Sequence, residues 1–160
     1  MSDHDPIETG WRIHAALIDW TGKVDSKAAF ALTIESAMFA GVIAFDLADL
    51  QTKPATWLFW AGVTILSLSL LLVAYVVRPQ LRRVDIDLEY RDNFIYFGHL
   101  RKWRPTELAR ALQTKEILPM LSKQLVAMST IAWRKHRLLQ HSLTGAVVSA
   151  AMFALAAWLN

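Results

Sequence analysis

ATWLFWAGVTILSLSLLLVAYVV, running from Ala55 to Val77, is a stretch of 23 residues without a charge. At ~1.5 Å rise per residue, a helix of this stretch crosses the ~30 Å hydrocarbon core of a bilayer. Two other blocks have the same character. Ala28 to Leu47 is 20 residues with Glu35 as its one charge before Asp46 near the far end, and Ser142 to Leu159 is 18 residues with none. The expected fold is an all-α membrane protein with three transmembrane helices. Ala48 to Pro54 is too short for anything but a turn at the membrane surface, so the first two spans form an antiparallel hairpin.

The whole chain agrees with that reading. Its 160 residues suit one architectural unit, and the apolar 54% is gathered in long blocks, against 19% charged. There is no cysteine, which removes disulfides, thiolate metal sites and cysteine nucleophiles. Met1 to Thr9 carries three acids, a histidine and no basic residue. It does not read as a signal peptide, and the first helix is expected to insert uncleaved.

Lys and Arg set the orientation. Three precede residue 28, one lies in the short loop, thirteen fall between Arg78 and His141, and none follows. The positive-inside rule puts the N-terminus and the basic segment in the cytoplasm, N-in and C-out, with Trp57, Trp60 and Trp158 at the outer interface. The expected organisation is a cytoplasmic N-terminal amphipathic helix in residues 1–27, a first span at 28–47, a second at 55–77, a basic segment and stalk at 78–141, and a third span at 142–159. Gly145 with Ser149, and Ala146 with Ala150, have the four-residue spacing that allows close helix approach.

The cytoplasmic parts are more varied. Ile7, Trp11, His14 and Ile18 recur at helical spacing in a helix that Gly22 is expected to break. Val84 to Tyr90 alternates apolar and acidic residues and reads as a short extended segment. The aromatic run Asp92 to Leu100 is too short for a span and should be buried. Pro105 opens a short helix to Lys115. From Glu116 to Leu159 no glycine precedes Gly145, and one continuous helix is expected to leave the membrane as a stalk. On it Gln124, Met128, Ile131 and Lys135 share a face, and Ser129 points away from it.

Chemistry-bearing residues are sparse. The five histidines lack metal-ligand spacing and no serine sits in an elbow motif, so neither a metal site nor an enzyme is expected. Asp25 is placed to cap the first span and Lys27 to snorkel at the inner boundary. Glu35 is the acid inside a span, and Ser67, Ser69 and Ser149 fall at similar depth, which suggests a polar layer between helices or subunits. That layer reads either as a seam that opens into a leak or as a hydrogen-bonded glutamate holding the bundle together.

Asp25-x-Lys27-Ala28 opening the first span, Tyr96-Phe97-Gly98-His99 in the cytoplasmic segment, and Gln124 to Lys135 ahead of a last apolar helix form an ordered set. In these the chain resembles the transmembrane effector family of Pycsar antiphage defence, from about Trp11 to Trp158. The resemblance implies a multi-pass protein of the bacterial inner membrane that stays silent until a partner nucleotide cyclase makes a cyclic nucleotide. The effector then impairs the membrane and growth stops, an abortive infection. It further implies the lipid bilayer and other copies of the chain as partners, no nucleic acid, and no cofactor beyond the cyclic nucleotide as activating ligand.

Some effectors of this class carry a separate nucleotide-binding domain, for which this chain has no room. Either the cytoplasmic segment binds the messenger or another protein senses it. Thirteen cations with Tyr90, Phe94, Tyr96, Phe97 and Trp103 supply what phosphate and base require. Matching the family pattern, Tyr96, Gly98, His99, Gln124 and Lys135 are the candidate ligand residues, with His99 and Lys135 toward phosphate and Tyr96 toward a base. A structural clasp is the other reading of the same five. The competing functions are a non-signalling membrane scaffold that recruits a soluble partner, and a small ion channel with Glu35 as its site.

Overall fold

The computed structural model describes residues 5–45, 50–79 and 90–160. Thr52 starts the hairpin's second helix: its hydroxyl accepts from the Ala55 amide at 3.3 Å, and Pro54 sits in the first turn, where a missing N–H costs nothing. Among the described residues five α-helices follow from such local signals, α1 (Pro6–Ala44), α2 (Lys53–Val77), α3 (Phe97–Leu100), α4 (Pro105–Thr114) and α5 (Ile117–Trp158), with a 3-10 turn at Tyr90–Asp92. No strand occurs among the described residues. α1, α2 and α5 are each long and apolar enough to cross a membrane. α2 stops at Val77 because Arg78 precedes Pro79 and takes an extended conformation, ψ 131°.

Gly22 does not break the first helix as expected. α1 runs through it for 39 residues. A single glycine costs a helix only about 1 kcal/mol, and packing on both sides outweighs that. The more covered side of α1 recurs at Ile7, Gly10, His14, Leu17, Thr21, Val24, Ala28, Ala31, Glu35, Met38 and Val42, alternating steps of three and four, the heptad of a coiled coil. Trp11 and Ile18 are exposed, and it is the small Gly10 that makes the close approach on the covered side. Asp25 lies inside α1 and does not cap it. The expected extended segment lies outside the described residues from Val84 to Glu89, and Tyr90 enters the 3-10 turn.

The chain divides into two units, residues 1–21 with 79–133, and residues 22–78 with 134–160. α1 and α5 contribute to both. In the first unit, Phe94, Ala111 and Met120 form a core with Ile95, Trp103 and Leu108 packed on it. An ideal Cβ on Gly10 would stand 2.5 Å from Leu121 Cδ2, so α1 and α5 also touch here.

The second unit is a three-helix bundle. Val24, Ala28 and Ala31 of α1 pack with Val73 and Val76 of α2 and Leu139 of α5 at one end; Ala55, Phe59 and Ala156 pack with Val42, Val63 and Phe153 at the other. α1 and α5 therefore run parallel, with α2 antiparallel to both. Its outside is apolar, with Phe30, Ile34, Ile43, Leu71 and Val147 all more than 60% exposed, whereas Glu35, Ser142 and Ser149 are buried. An apolar exterior around polar interior groups suits lipid as the surrounding medium.

Candidate functional site

Tyr96, Gly98 and His99 belong to a small knot in the first unit. Asn93 organises it: its Oδ1 accepts from the Ile95 amide at 2.9 Å, turning the chain ahead of α3. Tyr96 is the N-cap residue of α3, and its carbonyl accepts from the amides of His99 and Leu100, both at 3.0 Å. The Tyr96 ring meets the His99 ring edge-on, centroids 5.3 Å apart. Gly98 makes this possible, because a Cβ there would run into the Tyr96 ring. Gly98 and His99 are buried.

Trp103 closes the knot, its indole N–H donating to the Tyr90 carbonyl at 2.9 Å. Lys115 ties α4 to the same turn by donating to the Arg91 carbonyl at 2.5 Å and the Asp92 carboxylate at 3.2 Å. The Arg91 Nε–H donates to the Tyr90 hydroxyl at 3.2 Å, which holds the guanidinium, a cation at any accessible pH, beside the knot. Gln124 is buried on α5 in the same unit.

Lys135 lies in the second unit. Its ammonium donates to the Asp25 carboxylate at 2.6 Å. The Lys135 side chain is 8% exposed and that of Asp25 43%, so the pair is covered on one side and wet on the other. Two of the three family-like segments are thus joined directly, through residues read separately in the sequence.

Further along the parallel helices, Ser142 Oγ donates to Glu35 Oε1 at 2.6 Å. Glu35 Oε2 has no hydrogen-bond partner among the described residues. Ser69 and Ser149 are buried as well, bonded to their own helices at the Ile65 and Ala146 carbonyls. Ser67 is half-buried and donates to the Val63 carbonyl. The polar groups form a column along α5 more than one layer: Lys135, Ser142 and Ser149 are seven residues apart, about 10.5 Å of helix each.

Sequence reasoning passed over Ser142, treated as the first residue of a span, and over Asn93, and it took Trp103 only as an aromatic face for a base. The signal for Ser142 was its position midway between Lys135 and Ser149 in the heptad. Gly145 belongs to this column, where a Cβ would collide with the Ser69 hydroxyl, which brings α5 and α2 into close approach.

The family described as the Pycsar effector protein domain matches residues 9–160. Nothing among curated proteins or solved structures matches the chain.

Proposed function

Because the chain belongs to the Pycsar effector family, and so has a role in a Pycsar antiphage defence system, we propose that it is the membrane effector of that system. In this reading it is triggered by a cyclic nucleotide and impairs the bacterial inner membrane as an oligomer, without catalysis. A partner cyclase supplies the messenger. The chain lies N-in and C-out, with α5 leaving the membrane as a cytoplasmic stalk.

The observation that carries the proposal is the Asp25–Lys135 pair. It joins the parallel helices α1 and α5 just ahead of their apolar spans, so whatever changes the charge around Lys135 acts at the base of the bundle. A cyclic phosphodiester is an anion and competes with a carboxylate for an ammonium. Tyr96, Gly98, His99 and Gln124 in the first unit, and Lys135 in the second, remain the proposed ligand residues, each unit taken by itself. With His99 fully buried, binding by its side chain requires the knot to open.

Two experiments test this. Induction with the activating cyclase should depolarise cells, and an unchanged membrane potential overturns the effector reading. A thermal-shift panel of cyclic mono-, di- and trinucleotides should show one selective response, since a ligand at ~100 times its Kd adds ~2.7 kcal/mol. Loss of that response in Lys135→Ala or His99→Ala supports direct sensing, and a flat panel moves sensing to a partner. One observation favours a second reading, a small ion channel: the unpartnered oxygen of Glu35 inside a span. That reading requires ion flux in liposomes without any nucleotide, lost in Glu35→Gln.

A further inference from the structure

The three-helix unit is not packed evenly along its length. Where Val24, Ala28 and Ala31 meet Leu139, the helices interlock. At the other end, where α1 and α5 finish, they enclose an apolar cavity of about 480 Å³. The cavity is half open to the surroundings of the bundle, and a space of this size between packed helices has a local cause.

The cause lies in Phe153. Gly62 on α2 leaves room for its ring, which lies so close that a Cβ on Gly62 would stand 2.7 Å from Phe153 Cε1. Phe153 therefore leans toward α2, where its ring meets that of Phe59 in a tilted contact with centroids 5.6 Å apart, and Phe59 meets Phe45 in the same way at 5.1 Å. The side of α5 facing α1 is left with Ala150 and Ala157 against Gly41, none of which reaches across. Nothing lies within 4 Å of the position a Gly41 Cβ would take. The result is a half-enclosed slot with an aromatic wall, and Asn160 lies at one end of its lining.

We propose that this cavity is a binding site for one acyl chain of a phospholipid, from the leaflet in which α1 and α5 end. The medium around these helices argues for that occupant. The lining is largely apolar, none of its side chains is charged, and in a bilayer the apolar chains that reach such a slot are those of lipid. The Asn160 end carries hydrogen-bonding groups, its Oδ1 accepting from the Gln51 amide at 2.7 Å and the neighbouring Leu159 carbonyl accepting from the Thr52 hydroxyl at 3.1 Å, which suits the headgroup level. A chain in the slot holds α1 and α5 apart at this end while they stay locked at the other. The inference is independent of nucleotide sensing.

The test is photolabelling in vesicles of phosphatidylethanolamine and phosphatidylglycerol doped with a phospholipid carrying a diazirine within its acyl chain, followed by peptide mapping. The expected result is labelling of the Gly41–Phe45 and Phe153–Ala157 segments above that at Leu68 and Leu71, which stand exposed on the outside of α2. That excess should saturate at low probe content. Gly41→Leu, for which there is open space, and Ala157→Leu should each remove the excess and leave the Leu68 and Leu71 signal unchanged. Equal labelling at the cavity and the outer surface in the unsubstituted protein overturns the proposal, as does an excess that survives both fillings. Cross-linking of these segments to a second copy of the chain in place of lipid also overturns it.

Discussion

Replacing Asp25 by Asn leaves the Lys135 ammonium in place without its carboxylate. The two partners differ in solvent access, 8% exposed for the Lys135 side chain and 43% for Asp25, so the substitutions are not equivalent. Breaking a fully buried ion pair costs about 3–5 kcal/mol, most of it the stranded charge. Here water reaches the acid side, and the expected cost of Asp25→Asn is reduced to about 2–3 kcal/mol. Lys135→Met removes the desolvated charge, keeps the packing of its stem, and leaves a carboxylate that water can solvate; about 1 kcal/mol is expected. The double variant should cost about as much as Lys135→Met alone, a coupling of ~2 kcal/mol. The measurement is reversible unfolding of the reconstituted protein for all four forms of the cycle. Additive costs, or a Lys135→Met variant less stable than Asp25→Asn, would refute the reasoning.

Gly98→Ala should destabilise the knot by about 1–3 kcal/mol through collision with the Tyr96 ring, seen as faster amide exchange over residues 93–103, and Tyr96→Leu in the same chain should restore protection. Ser142→Ala should cost about 1–2 kcal/mol in thermal unfolding by removing the donor to Glu35, whereas adding Glu35→Leu should recover most of it because the buried carboxyl left without its donor is then gone. Trp103→Phe keeps the ring and loses the bond to the Tyr90 carbonyl, for an expected ~1 kcal/mol confined to the first unit and visible as exchange at residues 90–100 without change in the spans.

The three helices long enough to span were legible because a run of uncharged residues states its own length. The continuous last helix was legible because nothing in residues 117–144 interrupts it after Pro119. The knot around His99 was seen only as a run that ought to be buried: its turn depends on one Asn side chain and on contacts between Tyr90 and Trp103, thirteen residues apart, which leave no periodic trace. Gly22 misled because a glycine's helix cost is local, and the heptad on either side of it is not. Asp25 and Lys135 were each read alone, one as a cap and one as a phosphate ligand. Their separation of 110 residues is invisible without knowing that α1 and α5 run parallel.

The register of those two helices follows from which polar residues occupy the heptad. On α5 the buried face carries Lys135, Ser142 and Ser149 at intervals of seven, and α1 offers Asp25 and Glu35 to it. Sliding α1 by one heptad toward the C-terminus of α5 would bring Glu35 opposite Ser149, another serine able to donate, so the glutamate barely distinguishes the two alignments. The same slide would carry Asp25 to the level of Ser142 and leave the covered Lys135 ammonium without its carboxylate. Against α2 the register of α5 is set by shape, with Gly62 beneath Phe153 and Gly145 beside Ser69. Against α1 it is set chiefly by charge. A polar residue at a coiled-coil core position fixes alignment at a cost in stability, and the device is reversible only where its charge can be met in another way. The Asp25–Lys135 pair is a contact between α1 and α5 that an anion could replace, which makes it a position from which a charged ligand would alter how the spans are aligned.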